Sequence, residues 1–388
     1  MRSAVRIILI RLLKGMIATF GYPQSRTASL WVKGWYVGKD LVCPEEEILG
    51  HLGTTPQWDV FLSRIQSLKL PQGVRSDIYP AFSCDSQDMR VHYKDVRAVG
   101  IHPTVFGSDG TLCKLPRHQF LQPFHHGHVR LEDLISIESD LAWSKGQVIE
   151  LEKAVILDAR QGHFGHWVFE QLPQLRLLCD VDGLIFICNG KDDWKRQLLE
   201  DFGVNPDCIV GYDGETNFSI HHLIATNGGQ LNQIDLGWLR YRALELYPKM
   251  SSSPRRIYVS RQGVGSRMVS NFEDILPVLS EFGFEIVQPE KLGLARSAAV
   301  FRDAECILGP EGSGMRNMVW SDGAKVLEIF GHELNYGQWQ MAFALGLVYH
   351  PYMERREVPD TKGRWRDVDA MGISVDPVLF RRFLSTHL

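Results

Sequence analysis

The sequence predicts an α/β protein built from two domains. Three observations carry this: a length of 388 residues, more than one ordinary core accommodates; a strand–helix alternation beginning at Ala154; and a second such alternation after Arg255. A rhythm of that kind specifies a parallel sheet covered by helices. Between the two lies "PKMSSSPRR" (248–256), polar and proline-bounded, which places the junction there. The resulting segments are 1–20, basic and partly apolar; 21–250, an amino-terminal α/β domain with a β-rich region; and 251–388, a carboxyl-terminal α/β domain ending in a helix.

Residues 1–20 carry Arg2, Arg6, Arg11 and Lys14, and no acidic residue precedes Asp40. The longest apolar run there, Ile7–Ile10, falls far short of the ~20 residues of a spanning helix. Arg11 and Lys14 interrupt the uncharged core a cleavable signal requires, which disfavours secretion. Three readings stay open: a helix on an anionic membrane surface, a frayed helix packed on the body, and an organelle transit peptide. The seven cysteines are odd in number, widely spaced and never form C-x-x-C, the pattern of buried thiols in a reducing compartment. A net charge of -4 with no basic stripe gives no reason to expect a nucleic-acid partner.

Residues 50–157 are short extended runs between turn signals, such as "VRAVGIHPTVFGSDGTLCKL". From "AVILD" onward the order becomes strand, helix "HWVFEQLPQLRLL", strand "LIFIC", helix "DDWKRQLLEDF", strands "CIVGY" and "HHLIAT", then helix "DLGWLRYRALELY". The second series runs strand "RRIYVS", helix "NFEDILPVLSEFG" with Asn271 as its N-cap, strand "FEIV", helix "ARSAAVFRDA", strand "ECILG", a glycine turn, a short helix through "MRNMVW", and strand "KVLEIF".

The glycine turn, "GPEGSGMRN" (309–317), sits where a strand's carboxyl end meets a helix amino terminus. Ligands of open α/β sheets bind at such ends, and unpaired N–H groups there favour an anion. Gly309, Gly312 and Gly314 would let a diphosphate approach the backbone, although glycine turns also occur for steric reasons alone. A second loop, "SRQGVGSR", places Arg261 and Arg267 after the domain's first strand, where two planar guanidinium forks could clamp phosphate oxygens. Either arginine could equally be a solvated loop charge.

The ordered segments from "RRIYVSRQGVGSR" to "KVLEIF", together with the earlier "GHFGHWVFEQLPQLRLL", resemble glycosyltransferase family 61. That resemblance implies a GT-B fold, two Rossmann-like domains facing a cleft, and inverting transfer from a nucleotide-diphosphate sugar, a UDP-sugar foremost, to a glycan acceptor without a required metal or other cofactor. Carried over by position, the donor site comprises Arg261, Arg267, Asn271, Gly312, Gly314, Asn317 and Glu328, the last at a strand end where a carboxylate can accept from ribose hydroxyls. Departures fall in the same loop: Glu311 replaces a usual histidine, Ser313 an alanine, Arg316 a small polar residue, and Ser297 a glutamine. A carboxylate beside a diphosphate needs a cation or a hydroxyl partner, so Glu311 is expected to pair with Arg316 or another arginine, or to bind the sugar.

Inversion requires a base opposite the leaving group, expected from the amino-terminal domain. His166 and Glu170 are one helical turn apart and share a face; they are preferred over Asp158, at the preceding strand's end. The competing reading of His166 is a helix-start histidine bonded to backbone beside a packed Trp167. "HHGH" (125–128) lacks the partner ligands of a zinc site, and Asp192 and Asp193 read as first-turn residues of a helix. The function so indicated is capsular or envelope polysaccharide synthesis at the cytoplasmic membrane face. The alternative is a nucleotide-sugar-binding module of the same fold without turnover. The fingerprint of an NAD-linked dehydrogenase is absent.

Overall fold

A computed structural model describes residues 45–52, 75–77, 86–99, 104–108, 147–157, 164–189, 193–212, 216–226, 228–229, 232–247, 255–331, 333–354 and 372–388. Asp158, Asp192, residues 1–20, the 125–128 histidines and most of the 248–256 junction lie outside them. The chain divides into two compact units, one drawn from residues 1–50, 88–162 and 177–227, the other from 51–87, 163–176 and 228–388. This differs from a single boundary near residue 250 in three places, the first being residues 51–87. The segment 163–176 and the helix ending at Leu246 both group with the second unit.

In chain order the first eight strands are β1 (Glu45–Leu52), β2 (Arg75–Asp77), β3 (Ser86–Val99), β4 (Thr104–Gly107), β5 (Val148–Ile156), β6 (Ile185–Asn189), β7 (Ile209–Tyr212) and β8 (Asn217–Thr226). All but β2 form one mixed sheet in the order β1-β3-β8-β5-β6-β7, with β4 on β3. β3 runs antiparallel to β8, whereas β8, β5, β6 and β7 are parallel neighbours. Helix α1 (Phe164–His166) follows β5, continuing as a π-helical turn (Trp167–Gln171) and a 3-10 helix (Leu172–Leu177). The sequence suggested a plain helix there; Pro173, which has no N–H to donate, falls at the change to 3-10 geometry. Helix α2 (Asp193–Asp201) begins with Asp193 in its first turn, where a carboxylate complements the helix dipole.

The second unit opens with α3 (Gln233–Leu246), capped by the Asn232 side chain accepting from Ile234 N and Asp235 N. Its sheet is wholly parallel: β9 (Arg255–Val259), β10 (Phe284–Val287), β11 (Ala304–Pro310), β12 (Lys325–Ile329) and, after the short β13 (Glu333–Asn335) that pairs with β2, β14 (Tyr349–Tyr352). The order β10-β9-β11-β12-β14 reverses direction between β9 and β11. Helices α4 (Phe272–Glu281), α5 (Pro289–Leu292), α6 (Leu294–Arg302), α7 (Gly337–Ala344) and α8 (Pro377–His387) complete the unit, with a 3-10 helix over Ser313–Trp320.

One side of this sheet buries Tyr258, Leu308 and Leu327 beneath Ile275, Val278 and Leu279 of α4 and Phe380 and Leu384 of α8. Those residues fall at i, i+3 and i+4 spacings, so each helix turns one apolar stripe inward. Helix α8 therefore packs on α4 and β14 of its own unit. Strand alternation turns Ile257 and Val259 to the other side. There the Ser313–Trp320 helix is the hub, touched by α1, α3, α6 and α7. Cys306, in the middle of β11, is a buried thiol whose pKa burial pushes up to about 12. No helix among the described residues is long and apolar enough to cross a membrane.

Asn271 stands at the N-cap position of α4 without capping it. Its amide instead clasps one distant peptide: Nδ2 donates to Val375 O at 2.8 Å, and Val375 N donates to Oδ1 at 2.9 Å. This ties the start of α4 to the segment leading into α8. Asn271→Ala should cost about 1–3 kcal/mol, because it leaves both peptide groups of Val375 without their partner. The midpoint of a urea titration measures the loss, and a midpoint equal to that of wild type would show the clasp to be dispensable.

Candidate functional site

The reversal point between β9 and β11 is where an open parallel sheet accommodates a ligand. Both loops singled out in the sequence leave the sheet at that point: residues 260–268 after β9, and the glycine turn after β11. The turn is pinned by Glu311 N donating to Ile329 O (3.0 Å) and Met315 N donating to Gly312 O (3.0 Å).

Much of the room that the glycines create is taken by the protein itself. A Cβ at Gly309 would lie 2.7 Å from Val259 O, and one at Gly314 would lie 3.0 Å from Val259 Cγ1. These two glycines let β11 and the following helix close onto β9. Gly312 differs, with a φ of 156° that disfavours other residues and a Cβ position only 1.9 Å from Arg261 Nη1. The Arg261 guanidinium thus lies directly over the turn, held by Ser266 O (3.1 Å) and Ser266 Oγ (3.2 Å).

Glu311 pairs with Arg267, not with Arg316. Gln338, buried at the start of α7, adds a bond from Nε2 to Glu311 Oε1 (3.3 Å) and another to Gly312 O (3.1 Å). No local signal in the sequence marks Gln338, which is brought to the turn only when α7 packs on the 3-10 helix.

Arg316 turns the other way. Its Nη1 donates to Glu170 Oε1 at 3.0 Å, and His166 Nδ1 lies 2.6 Å from the same oxygen. The i, i+4 spacing thus does bring His166 and Glu170 together, in the π-helical turn. Gly165 makes the approach possible, since a Cβ there would sit 2.9 Å from Ser313 Oγ and 3.1 Å from Arg316 Cδ. On the opposite side Gly229 packs on the Glu170 carbonyl, with room for no side chain. Burial raises the Glu170 pKa, but the hydrogen bond from His166 and the Arg316 charge outweigh it, and the net shift is downward. Glu170 is therefore ionised at neutral pH. Facing a carboxylate, a neutral His166 ring carries its proton on Nδ1, which makes Nε2 the basic nitrogen. The His166 side chain keeps 32% of its surface exposed.

Glu328 is 0% exposed and sits under the turn on β12, opposite Gly309. Tyr349 donates to its Oε2, while its Oε1 has no hydrogen-bond partner among the described residues. Burial, reinforced by the Glu311 charge, pushes its pKa well above the usual carboxylate range. Tyr349 also stacks on Trp339, with ring centroids 5.1 Å apart and 17° between planes. Asn317 is spent internally, donating to Gly314 O (3.0 Å) and accepting from Trp320 Nε1 (2.9 Å). Ser297, on α6, donates to Pro289 O (3.1 Å). Among the described residues no group of three or more His, Cys, Asp or Glu is placed to hold a metal ion.

A parallel sheet whose strand order reverses beneath two charged loops is the architecture of α/β proteins that bind ligands at strand ends. More particularly, residues 164–327 match the model of the family described as Glycosyltransferase 61, which supports assigning this part of the chain to that family of glycosyltransferases. The match includes His166, Glu170, Arg261, Arg267 and the whole glycine turn, and stops one residue short of Glu328. No curated protein matches the chain significantly.

The raised pKa of Glu328 has a linkage consequence. Its folded pKa is raised, so between the ordinary glutamate value and the folded one the folded state binds the extra proton, and stability falls as pH rises. Glu328→Gln keeps the shape and the acceptor for Tyr349 without that penalty. Thermal unfolding from pH 5 to 8 should show a flatter profile for the variant and a midpoint at pH 8 at or above wild type; parallel profiles would exclude a buried neutral carboxyl.

Proposed function

We propose that this protein is a glycosyltransferase that moves a sugar, with inversion and without a metal, from a nucleotide-diphosphate sugar, a UDP-sugar foremost, to a glycan acceptor. One observation carries the reading: the His166–Glu170 pair, a base with its orienting carboxylate, is joined through Arg316 to the same turn that Arg261 covers with a guanidinium. His166 Nε2 takes the acceptor hydroxyl proton while the oxygen attacks the anomeric carbon. The bond from that carbon to the diphosphate oxygen breaks on the opposite face, which inverts the configuration. Charge developing on the leaving diphosphate is met by Arg261, by Arg267 and by the N–H groups that open the Ser313–Trp320 helix.

The Glu311–Arg267 pair favours a second reading, in which a carboxylate already neutralises one of these arginines and the module binds a nucleotide sugar without turning it over. In either case the basic residues at positions 2–14 suit attachment to an anionic cytoplasmic membrane face, and the role is capsular or envelope polysaccharide assembly.

Thermal shift with a panel of nucleoside diphosphates and their sugars, with and without chelator, identifies the donor, because binding raises the unfolding midpoint by an amount that grows with the logarithm of ligand over Kd. Arg261→Glu or Arg267→Glu should abolish the shift. His166→Ala and Glu170→Gln should retain it while lowering turnover roughly 100-fold or more, the usual scale of a lost general base. Wild-type turnover in His166→Ala would exclude it as the base, and binding without turnover in the wild type would select the second reading.

A further inference from the structure

Glu170 Oε1 receives two groups at once: His166 Nδ1 at 2.6 Å and Arg316 Nη1 at 3.0 Å. The two donors arrive from different parts of the chain, 146 residues separating Arg316 from Glu170. Arg316 is itself 8% exposed, and a guanidinium so far from water needs a carboxylate to remain there. Its path is narrow. The stem runs along Gly165, where any Cβ would press on Cδ, and Nη2 lies 3.8 Å from the Cβ position of Gly337. The close approach at Gly165 holds the stem against the π-helical segment, where the guanidinium reaches Glu170.

A histidine bonded to a surface carboxylate in a single helical turn would be only loosely oriented, because glutamate has three rotatable bonds and pays rotamer entropy to hold one geometry. Here the second bond removes that freedom. We propose that Arg316 is a positioning residue for glycosyl transfer: from the donor-side turn it immobilises Glu170, which in turn holds His166 with its proton on Nδ1 and Nε2 as the base. This rests on the assignment of His166 as the base. The same link makes the base sensitive to the turn, since any displacement of the Ser313–Trp320 helix on donor binding moves Arg316 and, through it, the carboxylate.

Selective 15N-histidine labelling of the full chain tests this without a substrate, with His166→Ala assigning the ring signals. In wild type the His166 nitrogens should report the Nδ1–H tautomer at neutral pH. Arg316→Gln should shift them toward a mixture of tautomers, and Arg316→Lys, which keeps a cation in reach of Glu170, should restore much of the wild-type pattern. Should the Gln variant not fold, Arg316→Met preserves the stem and asks the same question. Where donor hydrolysis is measurable by UDP release, the neutral variant should lose roughly 10- to 100-fold in kcat with KM little changed, the scale expected of a misplaced catalytic group. The acid limb of its pH profile should move upward as Glu170 loses a partner that keeps it ionised. Ring-nitrogen shifts identical to wild type in the Gln or Met variant overturn the proposal. Retained turnover in His166→Ala overturns instead the base assignment on which it rests, so the two failures are told apart.

Discussion

The close approach of β11 to β9 is the constraint from which the rest of the second unit follows. At Gly309 the backbone comes so near the Val259 carbonyl that no Cβ fits, and at Gly314 the following helix settles onto the Val259 side chain. With those contacts made, the Ser313–Trp320 helix lies close enough to the sheet to act as the surface on which α1, α3, α6 and α7 assemble. The hub is apolar where it faces inward, through Met315, Met318, Val319 and Trp320, all essentially buried. Phe169 of the π-helical turn packs against Trp320 with ring centroids 6.0 Å apart. The position of the site is thus a by-product of packing: α1 carries His166 and Glu170 to the turn because its neighbours Trp167, Val168 and Phe169 have a hydrophobic surface to cover.

Charge balance governs what the packing brings together. Among the charged groups around the turn, Glu311 pairs with Arg267 and Glu170 with Arg316. Buried ion pairs recover little net stability after desolvation, but breaking one leaves a charge without compensation, so the pairing specifies geometry more than it adds stability. Glu328 follows the opposite course. With a tyrosine hydroxyl on one oxygen and the Glu311 charge nearby, its burial favours the protonated form and pushes its pKa upward. The pKa values of two acids in one unit thus move in opposite directions for a reason visible in their partners.

Much of this architecture is legible in the residues taken in order. Apolar runs of strand length, such as "RRIYVS", "ECILG" and "KVLEIF", all become strands, and the i, i+4 spacing of His166 and Glu170 places them in contact. The glycine turn falls between β11 and a short helix as its composition requires. Less legible were roles that depend on distant partners. Asn271 has the chemistry of an N-cap but meets Val375, 104 residues away. A side-chain amide bonds whichever peptide tertiary folding delivers, and local spacing carries no record of which one that is.

By itself the sequence determined most strands and helices of the α/β series, their order, and the two loops that follow β9 and β11, because periodicity and glycine placement act over a few residues. Only the tertiary structure decided that residues 163–176 belong with the second unit, that Glu311 takes Arg267 and leaves Arg316 to Glu170, and that Gln338 and Tyr349 join the site. These outcomes turn on which of several compatible charges and hydrogen-bonding groups come within a few ångströms once the core has closed. That choice is made by the packing of whole helices on the Ser313–Trp320 hub, a collective property that no single stretch of residues encodes.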